Sequence, residues 1–162
     1  FYYISGTQTT HIVEAIKYYD HPEVGVAMGR LMAKEVESSG FFDGIDLLIP
    51  IPLARSRQRQ RGYNQCTMLA RGVSEVTGIK VVESVIMREK FERSQTRLDR
   101  WERMENVEGL FGLRDPQSLQ GKHVLLIDDV MTTGATICAC SKPLQQVEGI
   151  RISVLTLGFA KS

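Results

Sequence analysis

Val124-Leu-Leu-Ile-Asp-Asp-Val-Met-Thr-Thr-Gly-Ala-Thr136 is the stretch that decides the fold. It begins with large apolar residues, which are typical of a strand buried on both faces of a parallel sheet. The adjacent acids Asp128 and Asp129 follow, and the sequence predicts a strand over 123–128 with both acids at its carboxyl end. Ligands of open α/β sheets bind beyond the carboxyl ends of the strands, so we expect a binding site here.

The threonine-rich loop after the acids suits a phosphate. Thr132, Thr133 and Thr136 offer hydroxyl groups, and Gly134 permits a close approach of the backbone or a positive φ. A helix predicted over 134–146 adds free amide donors and the positive end of its dipole. The loop therefore predicts a phosphate-binding turn.

The paired acids need a separate explanation, because carboxylates repel a phosphate. A ribose resolves the conflict, since its hydroxyls donate to carboxylates while its 5′-phosphate reaches the loop. The stretch thus indicates a ribose 5-phosphate site. Asp128 and Asp129 alone would fit a solvated strand end before a threonine-rich helix cap, and the complete string argues against that alternative. Neither GxxxxGK[ST] nor GxGxxG after a strand occurs in the sequence.

Strands and helices alternate around this stretch. Apolar periodicity predicts helices over 9–19, 22–38 and 64–78 and strands over 47–51, 81–87, 107–112 and 150–157. This alternation implies an α/β fold in which helices cover both faces of a mainly parallel sheet. We expect one domain over 1–162.

Composition narrows the function classes. The net charge of +1 indicates no nucleic-acid or anionic-membrane partner by bulk charge. Cys66, Cys138 and Cys140 form no CxxC pair, which argues against a zinc site and a disulfide scaffold. We expect Cys66 and Cys138 to pack in the core, and none of the three to be catalytic. No apolar stretch approaches the ~20 residues that cross a bilayer, so the expected location is the cytoplasm.

The segment from Ile127 to Thr136 closely resembles the motif with which type I phosphoribosyltransferases bind 5-phosphoribosyl-1-pyrophosphate (PRPP). Other motifs resemble the competence-protein ComF family, often labelled amidophosphoribosyltransferase-like. These are Pro50-Ile-Pro-Leu53, Arg61-Gly-Tyr-Asn-Gln65, Gln95-Thr-Arg-Leu98 and Arg103-Met-Glu-Asn106. The resemblance covers roughly 10–160. It implies the type I phosphoribosyltransferase fold, with a helical N-terminal hood part over 1–40 and a flexible hood loop over 88–105.

The sequence departs from that family in two respects. ComF proteins usually carry an N-terminal zinc ribbon of paired CxxC motifs, and this chain has none. Because it starts at Phe1, we expect such a segment to have been trimmed. A glutaminase domain with an N-terminal cysteine nucleophile is also missing, which argues against glutamine amidotransfer by this chain alone.

The resemblance implies a role for each site residue. Asp128 and Asp129 are the expected catalytic residues, because they orient the ribose and favour positive charge on its ring. The expected ribose-phosphate contacts are Asp128, Asp129, Val130, Met131, Thr132, Thr133, Gly134, Ala135 and Thr136. The expected pyrophosphate contacts are Ile51, Pro52, Leu53, Arg55, Arg57 and Arg61, and the hood loop supplies Arg88, Lys90, Arg93 and Arg97. Mg²⁺ would arrive with PRPP near the two aspartates, with no protein ligand assigned to it.

Several of these roles have alternatives. Arg55, Arg57, Arg59 and Arg61 recur at every second position, so an extended segment would present all of them on one side. On that side, the arginines would bind pyrophosphate, form a basic edge in solvent, or form salt bridges with the acids of 88–105. Single-stranded nucleic acid is a less favoured partner for them. The bond between Ile51 and Pro52 is a candidate cis peptide, and a strand ended by prolines is an equal alternative. A merely solvated loop over 88–105 is also an alternative.

The predicted function is that of a phosphoribosyltransferase that displaces pyrophosphate from ribose C1 with a nitrogen nucleophile. The sequence does not identify the acceptor. One alternative is a non-catalytic module that senses PRPP or nucleotides, and another is an accessory protein of DNA uptake. The sequence allows a homodimer without predicting one, and we expect no membrane partner.

Overall fold

The computed structural model describes residues 2–3, 21–88 and 110–160. Its elements, in chain order, are β1 Tyr2–Tyr3, α1 Pro22–Glu37, β2 Leu47–Pro50, α2 Arg55–Arg61, α3 Gln65–Thr77, β3 Lys80–Val81, β4 Ile86–Arg88, β5 Phe111–Leu113, β6 His123–Met131, α4 Ala135–Leu144 and β7 Arg151–Ala160. The helix predicted over 9–19, most of the hood loop and the start of the strand predicted over 107–112 lie outside the described residues.

A parallel sheet in the order β1-β7-β6-β2-β3 forms the centre of the fold. β6 lies in its middle, and Val124, Leu125, Leu126 and Ile127 have no exposed surface. Val124 and Leu126 pack on one face of the sheet, whereas Leu125 and Ile127 pack on the other. The predicted α/β fold with a buried parallel strand is therefore confirmed.

Helices cover both faces, as predicted. α1 and α3 pack on the face of Leu125, where Leu69 of α3 is fully buried. The opposite face carries α4 and the antiparallel pair β4–β5, with Ile137 and Phe111 in its core. Each fully buried aliphatic side chain of this kind contributes roughly 1.5–3 kcal/mol to stability.

α1 and α3 meet backbone to backbone at two glycines. A Cβ added to Gly29 would collide with the carbonyl oxygen of Leu69, and one added to Gly72 would collide with that of Val26. The absence of side chains at these positions lets α3 lie close against α1. This contact holds α3 in place, and the first turn of α3 lies in the site described below.

The arginine-rich segment is helical, so the predicted extended row of arginines is wrong. Arg and Gln are good helix formers, and Gly62 ends α2 with a φ of 77°. Side chains two positions apart in a helix point to different sides, whereas those four apart share one face. Arg57 and Arg61 therefore share a face of α2, and Arg59 does not belong to it.

The strand predicted over 81–87 is two short strands instead. β3 pairs with β2 in the central sheet, and the pairing ends where Val82 donates its amide to the carbonyl of Leu48. The chain then leaves the sheet, because Val85 and Ile86 are buried in the core under α4. β4 consequently pairs with β5 rather than with the central sheet.

Candidate functional site

β6 extends beyond its neighbour β2, and this difference in length creates the site. β2 ends at Pro50, opposite Ile127, and the amide of Ile51 donates to the carbonyl of Ile127 at 3.0 Å. β6 nevertheless continues to Met131, because β7 pairs with it as far as Phe159. The strand end predicted at 128 is therefore wrong, and the two aspartates lie inside the strand, beyond the end of β2.

Asp128 and Asp129 are both buried, with 8% and 7% of their surface exposed. Each carboxylate accepts the next backbone amide, from Asp129 at 2.9 Å and from Val130 at 2.7 Å. Burial, and then the neighbouring charge of Asp129, raise the pKa of Asp128 to about 6. A buried carboxyl group with a perturbed pKa in a cleft is typical of a functional site.

The first turn of α3 holds these carboxylates. Gln65 donates from Nε2 to Oδ2 of Asp129 at 3.3 Å, and Sγ of Cys66 donates to Oδ1 of Asp128 at 3.5 Å. Asn64 caps the helix by accepting the amide of Cys66 at 3.0 Å, as predicted, and it donates to the carbonyl of Ile51 at 3.0 Å. The start of α3 is thereby tied both to the aspartates and to the turn after β2.

The roles of Gln65 and Cys66 were missed from the sequence. Gln65 belongs to a segment that served only to indicate a family, and Cys66 was expected only to pack in the core. The signal that could have found them is their position, because a helix beginning soon after a parallel strand starts at the edge where ligands bind.

Two of the three cysteines, Cys66 and Cys140, are buried thiols with raised pKa values. Burial, and then the charges of both aspartates, raise the pKa of Cys66 well above its usual range, so its thiol remains protonated and donates. Burial also raises the pKa of Cys140 to about 12. Cys138 is exposed, so its predicted core packing is wrong, and the neighbouring Ile137 and Ala139 face inward instead.

Three arginines from two elements line the same cleft. Arg57 and Arg61 come from α2, and Arg88 comes from the end of β4. Arg88 lies over the ring of Phe111, at 5.5 Å from its centroid. Burial, and then the charge of Arg57, lower the pKa of Arg88. An anion bound between these guanidinium groups would relieve their repulsion.

The described residues enclose a cleft of about 130 Å³. Gln65 and Cys66 line it, although the sequence did not predict them. The predicted site residues that line it are Ile51, Pro52, Leu53, Arg57, Arg61, Arg88, Asp128, Asp129, Val130 and Thr136. Ligand pockets usually measure roughly 300–1,000 Å³, so the cleft formed by the described residues is smaller than a usual ligand pocket. Lys90, Arg93 and Arg97 lie outside the described residues, and nothing is described of the Arg55 side chain.

The turn between β6 and α4 borders the cleft. The predicted residues Thr132, Thr133 and Gly134 form it, between Met131 at the end of β6 and Ala135 at the start of α4. None of these five residues lines the cleft itself. Gly134 has a φ of 77°, which confirms the predicted positive φ, and precedes the first residue of α4. Thr132 and Thr133 are exposed, and Oγ1 of Thr133 accepts the amide of Ala135 at 3.4 Å.

The turn after β2 has ordinary peptide geometry. No cis peptide bond occurs among the described residues, so the candidate cis bond before Pro52 is wrong. The alternative interpretation is correct, because β2 ends at Pro50 and the next proline continues the turn.

The phosphoribosyl transferase domain model matches residues 15–158 of this chain. The chain belongs to the phosphoribosyltransferase domain family. In this chain, the buried aspartate pair and the arginines of the cleft lie at the carboxyl edge of the parallel sheet.

Named relatives support the predicted resemblance to ComF proteins. Competence protein F of Haemophilus influenzae is 34% identical over 116 residues, which cover 71% of this chain and 51% of that protein. DNA utilization protein YhgH of Salmonella typhi is 29% identical over 136 residues, covering 82% of this chain and 59% of that protein. The chain thus spans about half to three-fifths of the length of these relatives.

Solved structures show the same fold. The glutamine PRPP amidotransferase of Bacillus subtilis aligns with a TM-score of 0.59 at 17% identity, over 90% of this chain and 30% of that one. Adenine phosphoribosyltransferase of Saccharomyces cerevisiae aligns with a TM-score of 0.51 at 12% identity, over 85% of this chain and 68% of that one. The fold is therefore that of type I phosphoribosyltransferases. Within the described ranges, no helix has both the length and the apolar surface needed to cross a membrane.

Proposed function

We propose that the chain binds PRPP and transfers its phosphoribosyl group to a nitrogen nucleophile, with release of pyrophosphate. The observation that carries this proposal is the composition of the cleft. A buried carboxylate pair lies in the same cleft as Arg57, Arg61 and Arg88. Such a cleft suits a ligand that offers hydroxyl donors next to a polyanion, which is the pattern of PRPP.

Each part of PRPP then has a matching part of the site. Asp128 and Asp129 accept the ribose hydroxyls, and the turn over 132–136 receives the 5′-phosphate at the start of α4. The pyrophosphate lies toward the arginines and the turn after β2. Guanidinium groups suit it, because they keep their charge and bind phosphate oxygens in forks.

The same contacts favour the transfer step. A nitrogen lone pair forms a bond to C1 of the ribose as the bond from C1 to the pyrophosphate oxygen breaks, and the nitrogen then loses a proton. Positive charge grows on the ring in the transition state, where the carboxylates stabilise it. The arginines stabilise the negative charge that develops on the leaving group. The distant 5′-phosphate contacts hold the ribose in position for the reaction.

Mg²⁺ bound to PRPP fits this site by the chemistry of its donors. Cys66, Asp128 and Asp129 place one ligand atom each within 4.8 Å of one another. Magnesium prefers carboxylate oxygens, so the two aspartates would face it, whereas the protonated thiol of Cys66 would not bind it. When bound, Mg²⁺ supplies positive charge that neutralises the departing pyrophosphate.

Release of pyrophosphate tests this function. The chain is incubated with PRPP, Mg²⁺ and a panel of purine and pyrimidine bases and amines. We expect release that depends on one of these acceptors. Arg57→Ala should lower it by at least tenfold, roughly the value of one charge-assisted hydrogen bond. The exposed Arg59 of the same helix provides the matched control, and Arg59→Ala should leave the rate unchanged. Binding of PRPP without release under any acceptor would contradict transfer and favour a sensing module.

The relatives' names support a second candidate function. Proteins called competence protein F and DNA utilization protein are similar to this chain, which favours an accessory role in DNA uptake. The structure weakens its simplest form, because α2 does not present its arginines as one row. Measured binding of single-stranded DNA by the intact chain distinguishes this role from PRPP chemistry.

A further inference from the structure

Gln65 is buried between the two oppositely charged halves of the cleft. Only 5% of its surface is exposed. Its Oε1 accepts from Nη1 of Arg61 at 3.2 Å, and its Nε2 donates to Oδ2 of Asp129 at 3.3 Å. Gln65 therefore contacts both the arginine and the carboxylate.

An amide is the side chain that suits this position. It carries an acceptor and donors at its tip, so it can satisfy a cation on one side and a carboxylate on the other. A glutamate would place another negative charge beside Asp129, and a lysine would offer no acceptor to Arg61. An apolar residue would leave buried polar groups without these two charge-assisted hydrogen bonds.

The backbone at Gln65 is held firmly. Asn64 caps α3 and bonds to the carbonyl of Ile51, and α3 packs without intervening side chains against α1 at Gly29 and Gly72. The amide consequently has a defined place between Arg61 and Asp129. Arginine and a carboxylate within reach of one another tend to form a bidentate pair.

We propose that Gln65 is a positioning residue that keeps Arg61 on the pyrophosphate side of the cleft and Asp129 on the ribose side. If Arg61 paired directly with Asp129, each would lose the atoms that face the ligand. The inference rests on the proposed function and assigns to Gln65 the separation of its two half-sites.

Ribose 5-phosphate provides the test, because it engages the ribose side and has no pyrophosphate for Arg61. Its affinity is measured by calorimetry for the wild-type chain, Gln65→Ala, Arg61→Ala and the double variant. We expect Gln65→Ala to weaken binding roughly tenfold, the effect of one hydrogen bond to a charged group. Adding Arg61→Ala should then recover at least about threefold of that loss, because it removes the competing partner of Asp129.

Controls separate this effect from general damage. Gln58→Ala changes an exposed residue of α2 and should keep wild-type affinity. Melting temperatures report whether each variant folds, and Gln65→Asn, one methylene shorter, replaces Gln65→Ala if that variant is unfolded.

The outcomes are distinct. Unchanged affinity in Gln65→Ala, or a double variant as weak as Gln65→Ala alone, would overturn the role of Gln65 while the proposed function stands. If the wild-type chain binds neither ribose 5-phosphate nor PRPP, the proposed function fails and this inference fails with it.

Discussion

Sγ of Cys66 lies 3.5 Å from Oδ1 of Asp128, and the thiol donates to the carboxylate. The preceding residue, Gln65, contacts the following carboxylate, Asp129, in the same way. Two consecutive residues of α3 thus orient two consecutive residues of β6. The arrangement holds the carboxylates in place but buries them, which makes ionisation of Asp128 costly.

Asp128→Asn is expected to stabilise the fold at neutral pH while it weakens PRPP binding. The pKa of Asp128 is raised to about 6 in the folded chain, so the folded state holds this proton more tightly than the unfolded state does. The contribution of Asp128 to stability therefore falls as pH rises from about 4 to about 6, and it stays low above that range. The asparagine should gain on the order of 2 kcal/mol at pH 7.5 and almost nothing at pH 4.

Urea unfolding of wild type and Asp128→Asn across this pH range, in buffer with a metal chelator, measures the difference. A variant less stable than wild type at pH 7.5 would show that the buried carboxylate carries no such cost.

The three cysteines should differ in reactivity toward a thiol reagent at pH 8. Cys138 is exposed on α4, whereas Cys66 and Cys140 are buried and have raised pKa values. Only thiolates react quickly, so we expect one fast thiol in the folded chain and three after denaturation. Mass spectrometry of peptides identifies the fast site. Rapid labelling of Cys66 would contradict its protonated, donating state.

Gly29→Ala should destabilise the chain far more than Gly78→Ala. The new methyl group at Gly29 meets the backbone of Leu69, which cannot move without separating α1 from α3. We expect a loss of about 3 kcal/mol or more from such overpacking. Gly78 has a φ of 72° but open space around it, so alanine there costs only about 1 kcal/mol. Thermal unfolding of the two variants compares these values, and equal losses would contradict the close helix contact.

Combined replacement of Arg57 and Arg59 by alanine should leave binding of single-stranded DNA within about threefold of wild type. The two side chains leave α2 on different sides, so they do not jointly follow one strand, and each contributes little to a salt-dependent contact. Fluorescence anisotropy with a labelled oligonucleotide at two salt concentrations measures this. A large loss of affinity at both concentrations would instead favour the DNA-uptake role.

Much of the fold was predictable, because its strongest signals are local. The apolar run of β6 and the asparagine and glycine that bound α3 gave correct elements. The helix over Arg55–Arg61 was not predictable from alternating arginines, since alternation along the sequence says nothing about which backbone the chain adopts. The extension of β6 to Met131 depends on β7, a partner far along the chain.

The site was predictable only in part, for a related reason. Asp128, Asp129 and the threonine turn lie in one continuous motif, whereas Gln65 and Arg88 come to the cleft from distant elements. Arg88 was named only through the family resemblance, and Gln65 was missed. The position of Gln65 depends on where α3 begins. The position of Arg88 depends on where the chain leaves the central sheet between β3 and β4. The motif Arg61-Gly-Tyr-Asn-Gln65 indicated a family, but it did not indicate that Gln65 lies beside Asp129.

Calorimetric titration with PRPP and Mg²⁺ tests the central claim most directly. The wild-type chain should bind, and the double replacement Asp128→Asn with Asp129→Asn should weaken binding by at least a hundredfold, roughly the loss of two hydrogen bonds to charged groups. Asparagine has nearly the size and shape of aspartate, so we expect the double variant to keep the fold. The exposed Arg59→Ala variant serves as the control. Unchanged affinity in the double variant would show that the ribose does not lie on the aspartate pair.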